Sequence, residues 1–96
     1  MNKNYDVLLR VYIAGMTPAA VRAIDNLKRI CDDCFGEGRY DMPVIDIKDN
    51  PDLAETAKIL ATPTVIKELP APLQRIIGDL SDESQVIAAL ELVKPQ

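Results

Sequence analysis

The sequence predicts a single mixed α/β domain, residues 1–96, with the element order βαβ–α–ββ–α. Three observations carry this expectation. Val7, Leu9, Val11 and Ile13 alternate at the period of a strand, then give way past Gly15 to apolar residues at helical spacing. Thr62-Pro63-Thr64 breaks a second helical stretch and opens a strand. Gly78-Asp79-Leu80-Ser81 separates a pair of strands from a final helix. The 96 residues make one unit, because two would each fall below the size at which a core sustains itself.

In the first strand, Leu8 and Tyr12 on the second face predict cover on both sides of the sheet. Gly15 ends it. Thr17 then caps a helix whose first position is Pro18, where no backbone N–H is needed. Ala20, Ile24, Leu27, Cys31 and Cys34 form the apolar face of that helix, and Gly36-Glu37-Gly38 closes it. A second strand is expected over 43–47, completing a βαβ unit with a right-handed crossover. Asn50 is the expected cap of a helix reaching Leu60, with Pro51 first and Asp52 favourable to the helix dipole. Ala54, Ala57 and Leu60 are its expected inward side. Strands at 64–69 and 73–77 follow, joined by Pro70-Ala71-Pro72. Ser81 is the expected cap of the last helix, on which Val86, Ile87, Leu90 and Val93 form an apolar stripe. That order is thioredoxin-like.

Composition narrows the function. Net charge is −4, with no long basic run, which disfavours a nucleic-acid partner. Aromatic residues make up 4% and tryptophan is absent, so platforms for stacked bases are scarce. There is no histidine, which removes the commonest general base and metal ligand. No apolar run is long enough to span a bilayer, so a cytoplasmic protein without a membrane partner is expected. No cofactor is expected.

Cys31-Asp32-Asp33-Cys34 is a Cys-x-x-Cys motif in a βαβ context, the basis for an alternative reading as a thiol-disulfide oxidoreductase. Its position opposes that chemistry. A reactive thiolate needs the positive end of a helix dipole or a nearby cation. These thiols fall in the last helical turn, beside two aspartates, and read as core residues. The turn where thioredoxin-like enzymes carry their dithiol, Ala14-Gly15-Met16-Thr17-Pro18, contains no cysteine. No catalytic residue and no metal site is therefore expected. The carboxylate groups around Asp46, Asp49 and Asp52, and around Asp79, Asp82 and Glu83, fit turns and helix starts. Pro63 stands where this fold commonly holds a cis-proline. Arg22, Lys28, Lys58, Lys67 and Arg75 are expected mostly as solvated charges. Lys58 at a helix end and Arg75 beside the proline-rich hairpin are the candidates for recognition.

Beyond these readings, Leu9-Arg10-Val11-Tyr12-Ile13-Ala14-Gly15 with Thr17-Pro18 and Val21-Arg22-Ala23 resembles the start of the KaiB family of circadian clock proteins. Lys58-Ile59-Leu60-Ala61-Thr62-Pro63-Thr64 and Arg75-Ile76-Ile77-Gly78-Asp79-Leu80-Ser81-Asp82 continue the likeness, which covers about residues 5–93. The resemblance implies a non-enzymatic regulator that binds the N-terminal ATPase ring of a KaiC-like protein. KaiA and a SasA-type histidine kinase are the further partners it implies. It also implies metamorphic fold switching. A thioredoxin-like monomer is the binding form, and the alternative is a dimeric or tetrameric ground form that keeps the βαβ half and continues βααβ. Lys58, Pro70, Pro72 and Arg75 are then the expected partner-binding residues. Val7, Pro63, Gly78 and Asp79 are the expected controls of the switch. Val7, Met16, Ala71 and Gln74 depart from the family pattern and mark a divergent paralogue. Good helix caps and alanines in the second half favour the thioredoxin-like form at rest.

Overall fold

The computed structural model describes residues 7–92 and confirms the thioredoxin-like order. Its centre is β1 (Val7–Ile13). On one side β1 pairs in parallel with β2 (Tyr40–Asp41) and β3 (Val44–Asp46). On the other it pairs antiparallel with β4 (Thr64–Leu69), which in turn pairs antiparallel with β5 (Gln74–Ile77). Opposite residues include Val11 with Val44, Val11 with Val65, and Val65 with Ile76. The second strand is thus two short pieces rather than one. Pro43 has no N–H for the ladder, so regular pairing is interrupted there, although its carbonyl still accepts from Val11 at 2.9 Å. The expected end at Ile47 is reflected in its N–H bonding the Ile13 carbonyl at 2.8 Å.

The α1 helix (Pro18–Phe35) starts as the sequence requires: Thr17 Oγ1 accepts from the Ala20 N–H at 3.1 Å. It stops at Gly36, whose φ of 92° a residue with a side chain rarely adopts. Its inner face, including Ala20, Ala23, Leu27, Ile30, Cys31 and Cys34, packs into one core with Val7, Leu9, Val11, Ile13 and Val65. The α3 helix (Glu83–Leu90) closes the same core through Val86 and Leu90, flanked by Leu80 and Leu92. Its cap is Asp82, not Ser81: Asp82 Oδ1 accepts from Gln85 N–H at 3.1 Å, while Ser81 N–H donates to Asp79 Oδ1 at 3.2 Å. Asp79 thus organises the approach to the helix and leaves Asp82 to cap it. Val93 lies outside the described residues.

The other sheet face carries buried Tyr12 and Ile66, as the apolar second face of β1 predicts. Its cover is α2 (Pro51–Thr56), much shorter than the expected helix to Leu60 and without a buried residue. Asn50 does not cap it through its side chain. Its Nδ2 turns back to donate to the Asp46 carbonyl at 3.0 Å. The helix ends early because Lys58 adopts a left-handed backbone, φ 56°. Ile59 N–H then reaches the Ala54 carbonyl at 2.9 Å, the bond of a Schellman stop. Leu60 is left 94% exposed instead of facing inward. The peptide bonds Thr62–Pro63, Leu69–Pro70 and Ala71–Pro72 are cis, so Pro63 has the isomer its position suggested.

Candidate functional site

Redox chemistry finds no foothold in the Cys-x-x-Cys motif. Cys31 and Cys34 form no disulfide and are buried on the core side of α1. Burial, and then the nearby Cys34 and Asp32, push the Cys31 thiol up to about 12. Near neutral pH it is a protonated core residue. Among the described residues, no three histidine, cysteine, aspartate or glutamate side chains group to hold a metal ion. Nor is any described helix long and apolar enough to cross a membrane.

Two of the expected recognition residues meet. Arg75 Nη2 donates to the Ala57 carbonyl at 2.8 Å and its Nη1 to the Lys58 carbonyl at 3.2 Å. The guanidinium therefore satisfies carbonyls that α2 leaves open at its end. Lys58 is held at the rim of the same hollow, about 380 Å³, between α2 and the outer sheet face. Its floor includes Tyr12 and Ile66, its walls Leu53 and Leu73. Arg10 and Glu68 form an ion pair along it, with Nε to Oε2 at 3.1 Å. The two side chains are 36% and 30% exposed and the contact is poorly aligned as a hydrogen bond, so it orders the surface more than it stabilises the fold. Leu53 and Leu73 are 41% and 61% exposed, making this face both apolar and basic.

The other two expected partner-binding residues lie elsewhere. Pro70 and Pro72 line a separate hollow of about 200 Å³ with Val7, Phe35, Lys67 and Leu92. The hairpin thus presents Leu73 and Arg75 to one hollow and its prolines to the other. Val7, expected as a switch residue, is on the proline side and buried.

The remaining switch candidates connect to each other. Gly78 N–H donates to the Pro63 carbonyl at 3.0 Å, tying the end of β5 to the start of β4. Gly78 has a φ of 123°, and a Cβ there would meet nothing within 4 Å. Its demand for glycine is therefore conformational rather than steric. Asp79 joins this turn to α1: Arg22 Nε lies 3.1 Å from its Oδ2, and Asn26 Nδ2 donates to its carbonyl at 2.9 Å. The Arg22 hydrogen bond, then the one from Ser81, hold the Asp79 carboxyl below its ordinary range.

Lys67 corrects the expectation of a solvated charge. It is only 2% exposed. Strand alternation carried the signal, because period two places Lys67 on the same face as Val65, which packs in the core. The apolar residues on both faces of β4 concealed it.

A KaiB domain model matches residues 10–92 of this chain. The circadian clock oscillator protein KaiB of Rippkaea orientalis is 52% identical over 86 residues, covering 90% of this chain and 82% of that protein. KaiB of Synechococcus elongatus is 50% identical over 93 residues, 97% of this chain and 90% of its own length. In structure, the chain is similar to the N-terminal domain of Synechococcus elongatus SasA, with TM-score 0.74 and 22% identity over 100% of this chain and 93% of that one. It is also similar to mitochondrial thioredoxin 3 of Saccharomyces cerevisiae, with TM-score 0.69 and 18% identity over 93% and 80% of the two chains. The structural likenesses establish the thioredoxin-like fold.

Proposed function

This chain belongs to the KaiB family, and from that premise we propose that it is a clock-type regulator acting by binding rather than catalysis. Its partner is the N-terminal ATPase ring of a KaiC-like protein. The observation that carries this reading is the apolar and basic face formed by Leu53, Lys58, Leu73 and Arg75. Large exposed aliphatic side chains around a hollow supply contact area, and the two cations supply charge steering. KaiA and a SasA-type kinase are the further partners in this scheme. A single cytoplasmic domain accounts for all of these contacts.

The test is direct binding to a KaiC-like hexamer by interferometry. Lys58→Glu should weaken it about tenfold or more, as expected for reversing a steering charge at an interface. Lys28→Glu, on α1 and paired with Asp32, should leave it unchanged. Equal binding by wild type and the Lys58 variant would refute this docking face.

Fold switching is the second part of the proposal. The thioredoxin-like monomer is the binding form, exchanging with a dimeric or tetrameric βαβ–βααβ form. Support comes from how lightly the second half is anchored: α2 buries no side chain, and α3 contributes only Val86 and Leu90 to the core. Val7, Pro63, Gly78 and Asp79 are the control points, where β1 meets the hairpin and where β4 and β5 begin and end.

A further inference from the structure

The sheet ends on β5, and the phase of its hydrogen bonds leaves part of that strand without a partner. Gly78 N–H donates to the Pro63 carbonyl at 3.0 Å, one step beyond the opposed pair Thr64 and Ile77. Bonding groups alternate along an antiparallel ladder, so Gln74 and Ile76 turn their N–H and C=O groups towards β4. Arg75 and Ile77 turn theirs outwards. β5 pairs with β4 alone, and no other backbone bond reaches these outward groups among the described residues. One donor and one acceptor from each of the two residues therefore line an open edge.

The opposite edge of the sheet is protected. There β2 and β3 are only two and three residues long, are interrupted at Pro43 and carry Asp41 and Asp46. Short, broken and charged strands discourage pairing with another chain. β5 instead runs four residues in unbroken register, with Ile77 57% exposed. Arg75 adds charge to this edge. Its guanidinium bonds two neutral carbonyls, and no carboxylate among the described residues pairs with it.

We propose that the β5 edge accepts an extended segment of a partner protein as an added antiparallel strand. The segment carries an aliphatic residue opposite Ile77 and, two residues later, an acidic one opposite Arg75. Main-chain bonds hold such a strand, and its alternate side chains select the sequence. The aliphatic residue covers Ile77, while the carboxylate neutralises Arg75. The residue between them turns its N–H away from β5. Arg75 also belongs to the face proposed for the ATPase partner, but recognition here rests on the backbone edge and stands without that partner.

Amide NMR titration with the end-capped peptide Thr-Val-Thr-Glu-Thr tests this. Saturable shifts should be strongest at the Arg75 and Ile77 amides. N-methylation of the Val or Glu amide should weaken binding about tenfold or more, because it removes a ladder bond and puts a methyl in its place. N-methylation of the central Thr should change it less than about twofold, since that N–H points away. A peptide with Lys in place of Glu should bind about fivefold more weakly, the scale of exchanging an attractive cross-strand charge pair for a repulsive one. Equal effects of the three methylations, equal affinity of the Glu and Lys peptides, or no saturable shift at Arg75 and Ile77 would each overturn the proposal. Concentration-dependent shifts of these amides in the free protein would assign the edge to a second copy and overturn it as well.

Discussion

Cys31 and Lys67 show how far position, rather than residue type, decides chemistry. The Cys31 thiol lies in the core and its pKa is raised from 9.0 to about 12. An unfolded chain ionises this thiol near its ordinary value, whereas the folded one keeps it protonated. The contribution to stability is therefore complete below pH 9 and is lost as pH rises from about 9 towards 12. Urea denaturation should show wild type losing stability relative to Cys31→Ala between pH 8 and pH 10. A constant difference would contradict the burial assignment. Asp79 has the opposite sign. Its carboxyl is held low by Arg22 and Ser81, so its contribution is present above the ordinary aspartate value and fades as pH falls through the depressed one. Carbon-detected titration should place the Asp79 midpoint below the ordinary aspartate value, and Arg22→Gln should move it upward. The inert cysteines were legible from their place near the helix end and their aspartate neighbours. Lys67 was legible only in strand register, where the residue's usual preference for solvent pointed the wrong way.

At the scale of elements, both ends of α1 were legible in local sequence, whereas those of the later helices were legible only in part. Thr17 and Pro18 begin α1 as expected, and the alternating residues of β1 have the expected core face. The end of α2 was not legible, because it depends on a left-handed Lys58 and on Arg75 arriving from another strand to bind its last carbonyls. Neither interaction is visible in the helix's own sequence. For α3, Ser81 was the expected cap and Asp82 takes that place, because Asp79 binds the Ser81 N–H. Asp82→Ala should therefore destabilise the fold by about 1 kcal/mol, within the usual range of 0.5–2 kcal/mol for a lost cap. Ser81→Ala should have a smaller effect in the same chemical denaturation experiment. A larger loss for Ser81→Ala would reverse this assignment. The candidate docking face was partly legible in the same way: Lys58 and Arg75 do meet, while Pro70 and Pro72 face another hollow.

Across the whole molecule, the βαβ half is centred on a strand with partners on both sides, whereas the second half depends on a small number of joints. Gly78 is one of these, at φ 123° and bonded to Pro63. Gly78→Val should destabilise this arrangement by roughly 1–3 kcal/mol through backbone strain alone. If the proposed exchange exists, NMR should then show residues 85–93 moving towards the strand form, accompanied by a larger species in light scattering. Loss of stability with no second fold would separate ordinary destabilisation from switching. The sheet order carries a further consequence for synthesis. β1 and β3 are complete by Asp46, yet the opposite edge of β1 waits for β4, which ends at Leu69. At roughly 5–20 residues per second, the nascent chain exposes that unpaired edge for about one to five seconds. During that interval another extended segment can compete for the same hydrogen-bonding groups, giving nascent chains a brief window for mispairing.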